Sequence, residues 1–329
     1  MKALVTGGTG FIGSHLVDSL VSKGHEVRVL LRKKSNTKYL ENLDVEKVYS
    51  DLNDKNSLKK AVENVDVVFH LGAIFNYWVP RDLIFDVNVN GTKNILDACL
   101  DANIDRFVHC STIGVMGPTG TSPVNETAPY NPGGSTYTQS KCEAEKLVLK
   151  YYAEQKLPVT VIRPAVVYGP RCFYGMYDGI TAAANGKLSA ILGPGDNYVS
   201  LVYVSDVVQG FELAAGKEKA VGEIYIIADE RPQTLNELFI TMAKVFEINP
   251  PKRHVPVQVA KFMAFIYEMK ASLTGGTPMF TGHSIDFMMT NHAYDISKAK
   301  LDLGYESKIS FEEGLKRTID FYRENGYIR

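Results

Sequence analysis

Gly7, Gly10 and Gly13 stand at G-x-x-G-x-x-G spacing in "TGGTGFIG", between a β-branched run at Lys2–Thr6 and an amphipathic pattern at Gly13–Lys23. This is the strongest constraint on what the chain can become. Backbone without Cβ closes a tight strand-to-helix turn, and the amides and dipole at the helix start favour an anion there. The turn, with Thr9, Phe11 and Ile12 between its glycines, suits the pyrophosphate of a dinucleotide. Because the strand starts at Lys2, no room is left for a targeting peptide, and a cytoplasmic location is expected.

The pattern continues as alternation. Strand-like runs at Glu26–Leu31, Val45–Tyr49, Val65–Leu71, Arg106–Cys110 and Val159–Arg163 are separated by helical patterns at Lys55–Val62, Asn90–Ala102 and Ser135–Glu154. Such an order predicts an α/β fold, a doubly wound parallel sheet of Rossmann type covered on both faces. We expect a dinucleotide-binding domain over residues 1–170, also receiving about 200–220. A smaller C-terminal α/β substrate-binding region is expected over 171–199 and 221–329.

Composition narrows the function. Hydrophobic residues at 45% and charged residues at 22% are ordinary for a globular enzyme. A net charge of −1 gives no electrostatic basis for nucleic-acid binding. Cys99, Cys110, Cys142 and Cys172 match no zinc spacing and sit among apolar or helical neighbours, so no metal site is expected. The apolar stretch Val255–Gly276 is interrupted by Lys261, Glu268 and Lys270. It is expected in the core or over a pocket rather than on a membrane.

The end of the second strand bears on the choice of cofactor. A carboxylate there accepts from a ribose 2′-hydroxyl, whereas a base accommodates a 2′-phosphate. Here Leu31 is followed by Arg32, Lys33 and Lys34, which favours NADP over NAD, with Arg32 as the principal contact; a solvated basic loop is the alternative. Asp51, beside Leu52 at the end of the third strand, suits the adenine amino group or a helix cap.

"YTQSK" places Tyr137 and Lys141 four residues apart, on one face of a helix. A nearby ammonium lowers a tyrosine pKa toward the range of a general acid or base. Ser111 and Thr112 follow the strand Arg106–Cys110 directly, at the carboxyl end where open α/β sheets bind ligands.

With "TGGTGFIG", "HLGA" (His70–Ala73), "NVNGTKNIL" (Asn88–Leu96), "STIGV", "YTQSK" and "RPAVVYGP" (Arg163–Pro170), the chain resembles the extended short-chain dehydrogenase/reductase family. The resemblance implies that Tyr137 is the catalytic acid/base and that Lys141 lowers its pKa and binds the nicotinamide ribose. It also puts Thr112 at the catalytic serine position, with Ser111 beside it. By the same resemblance Asn88 supports the active-site backbone, a helix cap being equally compatible. Leu71, Gly72 and Ala73 would line the cofactor, and Pro164 and Val167 would run under the carboxamide. A homodimer is implied through the helical segments Asn90–Ala102 and Ser135–Glu154.

Two family branches differ in substrate. Sugar-nucleotide epimerases and dehydratases tend to carry an asparagine and a diphosphate-binding arginine where this chain has Val166 and Val199. Losing such charge-assisted contacts costs on the order of 1.5–3 kcal/mol each. "IFNYWVP" and "CFYGMY" instead supply Phe75, Trp78, Phe173 and Tyr174 as candidate substrate contacts, with core packing as their alternative. The tail "AYDISKAKLDLGY" looks like the dihydroflavonol reductase and 3β-hydroxysteroid dehydrogenase branch. The expectation is an NADP-dependent oxidoreductase acting on a carbonyl or alcohol of a hydrophobic small molecule. A nucleotide-sugar epimerase or dehydratase with retained NAD, and a non-catalytic dinucleotide-sensing module, are the alternatives.

Overall fold

The computed structural model describes residues 1–75, 79–188, 190–276 and 281–328. Six strands, β1 (Lys2–Thr6), β2 (Glu26–Leu31), β3 (Glu46–Tyr49), β4 (Val67–His70), β5 (Arg106–Cys110) and β6 (Val159–Pro164), join the strand Ile224–Ile227 in one sheet. All its pairings are parallel, and its order is Ile224–Ile227, β6, β5, β4, β1, β2, β3. The order reverses between β1 and β4, which opens a crevice at their carboxyl ends. Ile224–Ile227 was expected in the substrate-binding part. It pairs with β6 instead, Ile226 opposite Arg163, and extends the main sheet.

Each face is buried by alternate residues of the same strands. Ala3, Val5, Phe69 and Val108 pack under helices α1 (Phe11–Ser22) and Val204–Gly216, with Leu16, Leu20 and Phe211. Leu4, Val68, Phe107 and Val161 point the other way, against α2 (Lys55–Ala61) and the helices Gly91–Ala102 and Thr136–Gln155. A third cluster, with Ile180, Leu201, Leu235, Leu315 and Tyr322, fills the C-terminal part. There Thr234 and Glu237 form a reciprocal capping box at the start of helix Leu235–Val245.

The two parts meet around a buried polar knot. Asp206 Oδ2 accepts from the Lys308 and Ile309 amides at 3.0 and 3.1 Å, and Asp229 Oδ1 accepts from Ser307 at 3.2 Å. Asp229 Oδ2 is buried without a partner among the described residues. Burial, with Asp206 adding to it, pushes the Asp229 carboxyl up to about 7. A carboxyl whose folded pKa lies above its unfolded value near 3.8 stabilises fully only below that value. Its contribution is lost as pH rises through about 7. Asp229→Asn removes this loss, so its thermal midpoint relative to wild type is expected to rise between pH 5.5 and 8.5. Calorimetry at the two pH values checks this.

Candidate active site

β1 ends at Thr6, and the chain turns at Gly7 with φ +72°. A Cβ at Gly7 would lie 2.8 Å from the Gly72 nitrogen, and one at Gly13 would lie 2.2 Å from the Gly7 oxygen. Glycine is therefore required at both places. A Cβ at Gly10 would meet the Gly7 oxygen at 3.1 Å and, among the described residues, nothing else within 4 Å beyond its chain neighbours, so the turn is open past that oxygen. Helix α1 starts there with no side-chain cap and no acidic residue in its first turn. The amides of Phe11, Ile12 and Gly13 have no partner within the helix. An open glycine turn and an uncapped helix start fit the pyrophosphate of a dinucleotide.

A polar network sets the neighbouring strand ends. Thr6 Oγ1 accepts from the Gly72 amide at 3.0 Å and lies 2.8 Å from His70 Nδ1; His70 Nε2 lies 3.0 Å from Thr92 Oγ1. Thr92 donates its own hydrogen to the Asn88 carbonyl at 2.7 Å. His70 must then donate from Nε2 and accept from Thr6 at Nδ1. Burial, with Lys141 adding to it, lowers its pKa to about 3, which keeps the ring neutral.

Asn88 sits inside the helical turn Asp86–Asn90, so it is not a helix cap. Its Oδ1 accepts from the Ile74 amide at 2.7 Å. Its Nδ2 donates to the Ile74 carbonyl at 3.2 Å and to Ser140 Oγ at 2.9 Å. Ser140 in turn donates to the Tyr137 carbonyl at 2.7 Å. One amide thus ties the segment after β4 to the start of the Tyr137 helix.

That helix, Thr136–Gln155, begins at a Ser135 cap. Lys141 is buried and donates to the Cys110 carbonyl, the last of β5, at 2.5 Å. Burial lowers its pKa from the ordinary lysine value, against the opposing pull of Cys110 and Glu145. Thr112, half-buried, follows β5 in extended conformation, and its Oγ1 accepts from the Gly114 amide at 3.1 Å. A Cβ at Gly114 would lie 2.7 Å from Thr138 Cγ2, so glycine lets the Thr112 turn close on the first turn of the Tyr137 helix.

Ser111 departs from its expected place. Its hydroxyl donates to Glu145 in the interior, not into the crevice. Glu145 is fully buried and faces Arg163, with Nη2 to Oε1 at 2.5 Å and Nε 3.2 Å from both oxygens; Tyr130 donates to Oε1 at 2.8 Å. Glu145 and Arg163 were not singled out in the sequence. The signals there were a carboxylate four residues beyond Lys141 and an arginine inside the run "VTVIRP".

Phe75 stands at the Tyr137 ring, which it meets edge-on at 4.8 Å, and it also meets Tyr174, tilted against it at 4.9 Å. Tyr174 reaches Phe11 of the glycine turn at 6.1 Å. Phe173 does not join them. Its ring packs instead on Tyr177, Tyr322 and Tyr327 at 4.8–6.1 Å. Trp78 lies outside the described residues.

Arg32 and Lys33 extend from β2 into solvent, with no ion pair among the described residues. The loop is shaped by Arg32 itself, whose amide bonds Ser35 Oγ at 3.0 Å. Further along, Tyr39 carries the Arg171 guanidinium over its ring at 4.4 Å, and Arg171 pairs with Asp18 of α1 at 2.7 Å. Asp51 is exposed and accepts from the Asn53 amide at 3.0 Å; the cap of α2 is Asp54 instead. Leu52 is buried, its carbonyl held by Asn94 at 2.9 Å. Leu71, Gly72 and Ala73 line the exit of β4 at the crevice. Pro164 ends β6, and Val167 lies in the strand Val166–Tyr168, opposite Val202. All four cysteines are free, and burial raises the Cys110 thiol to about 11.

These features define a doubly wound parallel sheet with a glycine turn after its first strand and, at the carboxyl end of β5, Thr112 and the helix that carries Tyr137 and Lys141. The model of the NAD dependent epimerase/dehydratase family matches residues 3–228, and the chain belongs to that family, as an enzyme of the extended short-chain dehydrogenase/reductase type. The chain is 31% identical to a 3beta-hydroxysteroid-dehydrogenase/decarboxylase of Arabidopsis thaliana, over 97% of this chain and 79% of that one. It is 32% identical to a UDP-N-acetyl-alpha-D-glucosaminuronate decarboxylase of Bacillus cytotoxicus, over 98% of each. Its fold is similar to that of a UDP-glucose 4-epimerase of Thermotoga maritima solved with UDP-glucose, at TM-score 0.81, 27% identity and 99% coverage of both chains.

Removing one member of the Glu145–Arg163 pair strands the other as a buried charge. Arg163→Met is therefore expected to destabilise the fold by about 3–5 kcal/mol in urea unfolding, and adding Glu145→Leu should recover much of the loss.

Proposed function

We propose that the protein is an NADP-dependent oxidoreductase acting on a carbonyl or alcohol carbon of a hydrophobic small molecule. The observation that carries this is the aromatic line Phe11, Tyr174, Phe75 and Tyr137, which runs from the glycine turn to the general acid/base. The open turn at Gly10 and the amides of Phe11, Ile12 and Gly13 would hold the dinucleotide's pyrophosphate, and Lys141 its nicotinamide ribose. A nicotinamide held there would supply hydride exchange with the substrate carbon.

The chain's own groups handle the oxygen. Tyr137 gives or takes its proton, and the Lys141 ammonium favours the phenolate. Thr112 already accepts from Gly114, which leaves its hydroxyl hydrogen to be donated to that oxygen. Asn88 keeps Ile74 and the Tyr137 turn in register.

Two relatives point to different substrates: the name of one speaks of a 3β-hydroxysteroid and that of the other of a UDP-sugar acid. Val166 and Val199 offer no hydrogen bond or charge to a sugar diphosphate, whereas Phe75 and Tyr174 present an apolar wall. This supports the hydrophobic substrate. Arg32 and Lys33, at the end of β2 with no ion pair among the described residues, support the 2′-phosphate of NADP.

Tyr137→Phe is expected to lower kcat by roughly 10²–10⁴-fold with dinucleotide binding intact. Turnover at the wild-type rate would remove Tyr137 from its role. Arg32→Ala is expected to weaken NADPH by about ten-fold or more, a charge-assisted contact being worth about 1.5–3 kcal/mol, and to leave NADH unchanged. Titration of both nucleotides by fluorescence checks this, and equal losses would place Arg32 outside the phosphate site.

A further inference from the structure

The helix Val257–Thr274 is folded with its apolar residues reversed. At 100° per residue, Val259, Phe262, Met263, Phe265, Ile266, Met269 and Leu273 share one face, opposite Ala264. That face is in solvent: Phe262 is 64% exposed, Phe265 56% and Leu273 83%. The face turned to the protein carries small residues, with Ala264 at 1% and Ala271 at 4%. The stretch was expected in the core or over a pocket. The structure corrects the expectation of a core position: the alanines fill the packed face, and the seven large side chains of the stripe are each 47–83% exposed. An apolar stripe of this size on a folded chain marks an interaction surface.

The charges around it choose the occupant. Residues 250–276 hold Lys252, Arg253, Lys261 and Lys270 against the single acid Glu268, in a chain whose net charge is −1. Glu268 is turned inward and accepts from the Gly282 amide at 2.9 Å, and Lys261 is neutralised by Asp286 at 2.6 Å. Lys252, Arg253 and Lys270 are exposed, with no ion pair among the described residues. A two-fold contact between copies would set these like charges against each other. A surface that is apolar just below a layer of negative charge satisfies both the stripe and its basic flank. No described helix is long and apolar enough to cross a membrane.

We propose that the helix Val257–Thr274 lies flat in the headgroup region of an anionic lipid bilayer, its aromatic and aliphatic stripe immersed and Lys252, Arg253 and Lys270 at the phosphate level. The inference is independent of the substrate reading above, because it concerns a different surface and needs neither cofactor nor turnover.

Co-sedimentation of the full chain with extruded vesicles tests it. Binding to vesicles of equal parts phosphatidylcholine and phosphatidylglycerol is expected to exceed binding to phosphatidylcholine alone by about ten-fold or more at low salt. The combined variant Phe262→Ser, Phe265→Ser, Ile266→Ser and Met269→Ser should stay in the supernatant. Its unfolding midpoint and dinucleotide binding should match wild type, since none of these side chains is buried. Lys252→Gln, Arg253→Gln and Lys270→Gln together, which leave the apolar stripe intact, should reduce binding to the level seen on neutral vesicles. Failure to bind either vesicle, or equal binding to both, would overturn the proposal. So would a dimer in light scattering that becomes a monomer in the serine variant without any vesicle binding, because the stripe would then be a contact between copies.

Discussion

The buried ion pair of Glu145 and Arg163 is the constraint on which the site depends. Glu145 projects from the helix that carries Tyr137 and Lys141, and Arg163 from β6. Ser111, at the exit of β5, donates to the same carboxylate. Charges withdrawn from water this completely are costly unless their hydrogen bonds are met, and here Tyr130, Ser111 and three guanidinium contacts meet them. The pair thus sets the height of the Tyr137 helix against the strand ends. Lys141 on Cys110 O and Asn88 on Ser140 then set its depth and its link to the β4 exit.

Much of this frame was legible along the chain. The central strands are runs of β-branched residues buried on both faces, and Lys2–Thr6, Glu26–Leu31 and Arg106–Cys110 appear with the bounds their composition suggests. The glycine turn was legible because Gly7 and Gly13 are sterically required; helical spacing put Tyr137 and Lys141 on one face, and only the family resemblance gave them roles.

What escaped the sequence depends on long-range partners. Ser111 and Thr112 are neighbours with opposite fates, because the backbone alternates and Glu145 waits on only one side. Phe173 and Tyr174, in an irregular segment, also part, one to the C-terminal aromatic cluster and one to Phe75. Ile224–Ile227 follows an irregular segment, so only its pairing with β6 reveals that it completes the main sheet. The helix Val257–Thr274 misled because apolar content predicts burial, whereas this helix packs through its alanines.

Reversible binding of NADP by the glycine turn and the basic end of β2, beside Tyr137, is what the proposed activity requires. Denaturing the purified protein and identifying the released nucleotide, alongside exchange of labelled NADPH and NADH into the native protein, tests this directly. The expected result is little retained nucleotide and exchangeable binding that prefers NADPH. One equivalent of NAD that does not exchange would contradict it, and would make the protein an enzyme that recycles its cofactor within each turnover.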